Sequence, residues 1–147
     1  MKNSSEAIQI SKSISSRKLN KIFKDLCTAI EFEFWLTIEE GYNETSTWSR
    51  TPQEDLDDDE DEFIGIIEID VRETPFNKIA SLVHEIGHYL LEQDEIFVED
   101  KMNFIYVESL AWYLGYKFLS ERGYQIDKKD YNEYCSECLN KYIEGMK

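Results

Sequence analysis

Two histidines spaced four residues apart constrain this chain more than any other feature. They are the only histidines of the protein and lie in the stretch His84-Glu85-Ile86-Gly87-His88. On a helix, side chains at positions i and i+4 share one face, so both imidazoles can bind one metal ion. Glu85 lies about 100° round such a helix, where its carboxylate can reach a water bound to that metal. The stretch therefore predicts a metal site carried by a helix.

Length and composition predict one globular domain. With 147 residues, of which 41% are hydrophobic, the chain can bury a single core, and we interpret residues 1–147 as one domain. The net charge of −15 argues against direct nucleic-acid binding and suits a basic partner or mimicry of nucleic acid. Three cysteines make no disulfide framework, and no apolar run is long enough to span a membrane. We therefore expect a cytoplasmic protein without a membrane partner.

The first forty residues predict a helix followed by a strand. Residues 1–13 are mostly polar, and we expect them to be disordered. Ser15 or Ser16 can cap a helix whose apolar residues recur at helical spacing. From residue 31 to 41 apolar and polar side chains alternate, which predicts a half-buried strand.

Two further strands are predicted on either side of an acidic loop. Residues 42–50 can form a short edge strand, and residues 63–71 are rich in β-branched side chains, which favour strands. Between them, residues 52–62 are predicted to be a solvated loop. Eight of the nine residues from Glu54 to Glu62 are acids, and such a block repels itself.

The same acidic loop can be compared with a calcium-binding loop. Asp57, Asp59, Asp61 and Glu68 match positions 1, 3, 5 and 12 of that motif. Position 6, which requires glycine for its turn, is Glu62, and no helix is predicted on either side. A solvated loop is therefore the preferred interpretation over a Ca²⁺ site.

Three helices are predicted in the second half. Thr74 as N-cap and Pro75 at the first helical position begin a helix that runs to about Glu92 and carries both histidines. A second helix is predicted over residues 101–121, and a last one capped by Asp127. The order of elements predicts an α+β fold, with an N-terminal helix, a small twisted sheet and three following helices.

Two acids compete to be the third metal ligand. Asp94 follows the second histidine closely, but such a ligand needs a glycine turn where this chain has Leu91, which lets the helix continue. Glu108 lies in an apolar stripe of the second long helix, where a carboxylate is costly to bury unless something such as a metal compensates it. Ala111 and Gly115 beside it are small enough to let the histidine helix approach. Glu108 is the preferred ligand and Asp94 the alternative.

The motif His84-Glu85-Ile86-Gly87-His88 followed by Glu108 resembles the gluzincins, zincin metallopeptidases whose third zinc ligand is a glutamate. The short chain and its element order are similar to the minimal gluzincins and the ImmA/IrrE-type metallopeptidases of phages and bacteria. The resemblance covers roughly residues 60 to 122 and implies a zincin-like fold. It implies one Zn²⁺ per chain, bound by His84, His88 and Glu108, with Glu85 as general base. It also implies a substrate extended along an edge strand, here residues 45–50 or 63–71.

The chain departs from the thermolysin-like pattern at two points. In the thermolysin-like pattern an acid four residues after the glutamate ligand orients a histidine. Four residues after Glu108 this chain has Trp112. No third histidine is present to stabilise an oxyanion, which leaves Tyr106 or Tyr113 as candidates for that role.

The predicted function is zinc-dependent hydrolysis of peptide bonds in a peptide or protein substrate, with the acidity favouring basic or unfolded substrates. The alternative is a protein that keeps the zincin fold without activity and acts as a protein-binding inhibitor or nucleic-acid mimic. Cys135 and Cys138 form a CxxC pair within a predicted helix, and we expect them to be packing residues because a structural zinc site needs four ligands.

Overall fold

The computed structural model describes residues 6–42, 47–52, 63–93 and 101–145. Within these ranges the chain has the predicted α+β class, with four helices and two small sheets. In chain order the elements are β1 (Ile8–Ile10), α1 (Ser16–Phe34), β2 (Leu36–Gly41), β3 (Thr47–Pro52), β4 (Phe63–Asp70), α2 (Pro75–Gln93), α3 (Lys101–Glu121), β5 (Tyr124–Ile126) and α4 (Lys128–Gly145). None of the helices searched in these ranges is long and apolar enough to cross a membrane. Residues 53–62 of the acidic loop and Asp94 lie outside the described residues.

Helix α1 begins where the sequence predicts but ends later. The Ser15 hydroxyl accepts a hydrogen bond from the backbone N–H of Lys18, which confirms Ser15 as N-cap. The helix continues to Phe34 and ends at Trp35, whose φ of 59° is left-handed and whose N–H donates to the Glu31 carbonyl. The predicted strand is therefore wrong over residues 31–35 and correct from Leu36.

The error has a physical cause in the placement of Phe34. The buried row of α1 includes Leu26 and Ile30, and Phe34 continues that row at i+4 spacing. Its ring packs against the rings of Tyr89 and Phe118, with centroids 5.2 and 5.9 Å away. Tertiary packing of one aromatic ring thus extends the helix through a segment whose local alternation favours a strand.

The three-stranded sheet has the order β2-β4-β3. Strand β4 lies in the middle, parallel to β2 and antiparallel to β3, and its residues Ile67 and Ile69 are fully buried. The strand predicted at residues 63–71 is confirmed, and that predicted at 42–50 is confirmed for residues 47–50, whereas residues 43–46 lie outside the described residues. Strands β2 and β3 are the two edges of this sheet. Of the two segments predicted as a substrate edge, 45–50 therefore falls partly in edge strand β3, and the prediction that 63–71 could serve is wrong because β4 is central.

A second, two-stranded sheet ties the start of the chain to its end. Strand β1 pairs in parallel with β5, with Ile8 opposite Tyr124 and Ile10 opposite Ile126. Ile10 and Ile126 are buried in the core. The prediction that residues 1–13 are disordered is therefore wrong for residues 8–10, because one buried side chain, Ile10, together with the pairing to β5 anchors this short strand.

Helices α2 and α3 pack antiparallel at very short range. A Cβ atom at Gly87 would lie 1.9 Å from the Ala111 carbonyl oxygen, and one at Gly115 would lie 2.4 Å from the Val83 carbonyl oxygen. The two backbones therefore touch at both places, which only glycine permits. The prediction that small side chains on α3 let the histidine helix approach is confirmed.

The substitution Gly87→Ala tests this crossing. In an exposed helix, alanine would stabilise by about 1 kcal/mol relative to glycine. Here we expect destabilisation by about 3 kcal/mol or more, because the added methyl meets backbone that cannot move aside. Urea unfolding measures the effect, with Ser120→Ala on the exposed face of α3 as the control, expected within about 0.5 kcal/mol of wild type. An unchanged or raised stability of Gly87→Ala would contradict the crossing.

Candidate metal centre

Helix α2 places the two histidines toward α3. The Thr74 hydroxyl accepts from the Asn77 N–H, which confirms Thr74 as the N-cap of this helix. Its core face is formed by buried apolar side chains, namely Phe76, Ile79, Leu82, Val83 and Ile86. With that face fixed against the core, helical periodicity turns His84 and His88 to the side where α3 lies.

Three ligand-type atoms converge between α2 and α3. The Nε2 atoms of His84 and His88 lie 3.1 Å apart, and their rings meet edge to face. The Oε2 atom of Glu108 lies 3.4 Å from His84 Nε2 and 2.5 Å from His88 Nε2. Glu108 and His84 are buried, whereas the His88 side chain is 24% exposed, so the cluster opens to solvent beside His88.

Glu85 completes the cluster. One ligand-type atom from each of His84, Glu85 and His88 lies within 4.8 Å of the others, so this group could hold a metal ion. The Glu108 side chain also contacts both histidines through its Oε2 atom. The structure thus brings together all four residues that the sequence assigns to the centre.

Two of the three separations within the cluster suit a bound ion. For ligands about 2.05 Å from a tetrahedral ion such as Zn²⁺, neighbouring ligand atoms are about 3.3 Å apart. The separations of 3.1 and 3.4 Å are close to this value, whereas the 2.5 Å between Glu108 Oε2 and His88 Nε2 is that of a short hydrogen bond or ion pair. His84, Glu85 and His88 could therefore hold a metal ion, with Glu108 in contact with both histidines.

The ionisation of two side chains, His84 and Glu108, favours metal binding. Burial lowers the pKa of His84, so its imidazole is held neutral, with a lone pair free to bind a metal. Burial alone would raise the pKa of Glu108, but its contacts with His84 and His88 outweigh this and lower it to about 2. The carboxylate that contacts the histidines is therefore ionised over the whole neutral range.

Glu85 has the opposite tendency. Burial, and secondarily the neighbouring charge of Glu108, raises the pKa of Glu85 well above its usual value. A carboxyl group whose pKa is raised takes up a proton more readily than an ordinary glutamate, which suits general acid–base chemistry. The two carboxyl groups of the cluster therefore differ. Glu108 is held ionised, and Glu85 takes up a proton more readily.

Trp112 supports His84 in a way the sequence did not predict. Its indole stacks on the His84 imidazole, with ring centroids 3.9 Å apart and planes 23° apart. Helix α4 holds the indole in turn: the Tyr131 hydroxyl donates to the Trp112 carbonyl at 2.6 Å, and the Tyr134 ring meets the indole edge to face. Trp112, four residues after Glu108, thus holds the His84 imidazole by stacking. His84 Nδ1 is buried without a partner among the described residues.

The two tyrosines proposed as oxyanion stabilisers lie elsewhere. Tyr106 and Tyr113 are exposed, and no described contact joins either to the cluster. They lie roughly 140° to 160° round α3 from Glu108, on its far face. Their assignment to the centre stays a prediction from sequence.

The CxxC pair behaves as packing residues, as the sequence predicts. Cys135 and Cys138 lie within α4, and both are free thiols. Burial raises the pKa of Cys135 to about 12, and it raises that of Cys138. Thiols held protonated in this way are poor nucleophiles and poor metal ligands.

Comparison with known proteins gives no independent assignment. No protein-family model matches the chain, and no curated protein and no solved structure matches it. The geometry of the cluster therefore carries the functional argument.

The ionised state of Glu108 predicts a pH dependence of stability in the metal-free protein. Its folded pKa of about 2 lies below the value of 4.5 for an unperturbed glutamate, so the unfolded chain takes up this proton first. The stabilisation is complete above pH 4.5 and is lost as the pH falls towards 2. We expect about 1 kcal/mol of it to be lost by pH 3.5, and Glu108→Gln to lack that part of the slope. Chelator-treated samples unfolded in urea at pH 6 and pH 3.5 measure it; parallel slopes would contradict the assignment.

The stack on His84 predicts a distinct effect of Trp112. We expect Trp112→Leu to weaken metal affinity by about tenfold, because the imidazole loses the surface that orients it. Trp112→Phe retains an aromatic face and should lose much less. Competition with a chromophoric chelator measures both affinities, and an unchanged affinity in folded Trp112→Leu would show that the stack is only packing.

Proposed function

We propose that this protein is a zinc-dependent metallopeptidase of the gluzincin type. The observation that carries the proposal is the convergence of His84 Nε2, His88 Nε2 and Glu108 Oε2 within 3.4 Å of one another, with Glu85 in the same cluster. Two helices that touch backbone to backbone fix this arrangement.

The donor set favours zinc among the common metals. Two imidazole nitrogens and one carboxylate oxygen are the ligands of catalytic zinc sites that keep a fourth position for water. Calcium and magnesium prefer six or more oxygen ligands, which this cluster does not offer. The neutral state of His84 and the ionised state of Glu108 suit the same conclusion, because protons must leave ligands before a metal binds.

In the proposed reaction the protein groups have separate tasks. Bound zinc would supply Lewis-acid chemistry, by lowering the pKa of a water molecule and polarising a carbonyl. His84, His88 and Glu108 would hold the ion, with His84 oriented by the indole of Trp112. The Glu85 carboxylate accepts the proton of the attacking water and passes it to the leaving amine. Its raised pKa suits both halves of that transfer.

Strand β3 is the proposed docking edge for an extended substrate. It is the antiparallel edge strand of the three-stranded sheet within the described residues, and it contacts α2. An extended peptide can add to such an edge through main-chain hydrogen bonds. The net charge of −15 favours basic or unfolded chains as substrates.

Metal analysis beside an activity assay tests the proposal. Wild-type protein should contain one zinc ion and cleave a fluorescently labelled unfolded protein. Glu85→Gln should keep the zinc and lose activity by about a hundredfold or more, because it removes the base without removing a ligand. Equal cleavage by wild type and Glu85→Gln would reject the mechanism.

The third ligand is tested by a matched pair of variants. Glu108→Ala should lose zinc, whereas Asp94→Ala should keep it. The reverse result would assign the third ligand to Asp94. Zinc content with no cleavage of any unfolded substrate would favour the alternative of an inactive protein that binds a partner through the same fold.

A further inference from the structure

We propose that the end of helix α1 is a docking surface for a basic segment of another protein. This aromatic–acidic patch consists of Glu31, Phe32, Glu33 and Trp35, with Ala29 and Leu36 at its base. It forms a groove of about 900 Å³ on the surface. The inference does not depend on the metal centre.

Two large aromatic rings stand in solvent at this patch. Phe32 is 87% exposed and Trp35 is 88% exposed, more than any other large hydrophobic side chain among the described residues. Phe34 between them is turned inward against Tyr89 and Phe118, so the core does not need the outer pair. Rings exposed so fully contribute almost nothing to stability, and contiguous exposed apolar groups mark interaction sites.

The backbone at Trp35 adds an independent observation. Trp35 is the only non-glycine residue with positive φ among those described, at 59°. The left-handed conformation costs roughly 1–2 kcal/mol for a residue with a side chain, and glycine is the usual residue at this position of a helix. A tryptophan here is therefore unfavourable for the fold, and its indole is held out from the surface by the turn. Such local strain is typical of functional positions.

The charge of the patch identifies its occupant. Glu31 and Glu33 are exposed acids on either side of Phe32. The described contacts of each use one carboxylate oxygen: Glu31 Oε2 accepts from the Ile38 N–H, and Glu33 Oε2 pairs with Arg122. The remaining oxygens can accept hydrogen bonds from a ligand. Lysine and arginine side chains bind carboxylates and also stack on tryptophan and phenylalanine faces.

The net charge of the chain argues against two other occupants of the patch, a second copy of this chain and an anionic membrane. A second copy of this chain also carries a net charge of −15, so two copies repel each other. An anionic membrane surface repels the protein for the same reason. A basic segment with arginine or lysine side chains satisfies both the rings and the acids.

Substitution of both aromatic rings tests the patch without changing its charge. The probe is a fluorescein-labelled peptide that repeats Arg-Gly-Ser, and its counterpart repeats Glu-Gly-Ser. We expect the wild type to bind the arginine peptide. The Phe32→Ser/Trp35→Gly variant should bind it with an affinity at least about tenfold lower. Tyr42→Ser, which removes another ring that is 80% exposed, is the control and should bind as wild type does. Wild type and both variants carry the same net charge. Binding of the peptide to the acidic residues 54–62 alone would therefore be equal in all three proteins and could not produce the expected loss.

The single variant Trp35→Gly should change stability and peptide binding in opposite directions. Glycine relieves the left-handed strain, so its melting temperature should rise by about 3 °C while peptide binding falls. A change in binding with a raised melting temperature cannot come from misfolding. Equal binding of the arginine peptide by wild type and the double variant, equal binding of both peptides, or no binding would overturn the proposal. Wild-type dimers or vesicle binding that the double variant abolishes would overturn it in favour of those occupants.

Discussion

The direct contact of two helix backbones is the constraint on which the rest of this structure depends. Gly87 and Gly115 let α2 and α3 approach until a Cβ on either would overlap a carbonyl group. Only at that range can Glu108, on one helix, touch both histidines of the other. Gly87 also lies between Glu85 and His88, so a single short stretch supplies three side chains of the cluster and the helix crossing together.

The surroundings of each carboxyl group in the cluster set its ionisation. His84, Glu85 and Glu108 are buried, His88 is partly exposed, and burial favours the neutral form of each buried group, so the neighbouring charges decide the difference between them. Glu108 has two imidazoles beside it and stays ionised, whereas Glu85 has a carboxylate nearby and favours its protonated form. Two glutamates that would be equivalent in water are therefore suited to different tasks. The indole of Trp112, held by α4, stacks on the His84 imidazole and so orients it.

The sequence predicted the parts of this site that follow from helical periodicity. The histidines and Glu85 were found by their spacing on a long helix, and Glu108 by the cost of burying an acid in the apolar helix α3. The sequence did not predict the stack of Trp112 on His84, because an indole in an apolar stripe looks like any core residue. Strands β1 and β5 were also missed: each has three residues, and their partners lie at opposite ends of the chain. The end of α1 at Trp35 could not be predicted because glycine, not tryptophan, normally marks a left-handed helix end.

X-ray absorption at the zinc edge tests the central claim most directly, since it reports the ligands themselves. We expect one zinc ion with two imidazoles and one or two oxygen ligands, all at about 2.0–2.1 Å, with no sulfur. In Glu108→Ala the imidazole signal should fall or the metal should be lost. A sulfur shell at about 2.3 Å, which would require the cysteines, or an all-oxygen shell would contradict the account.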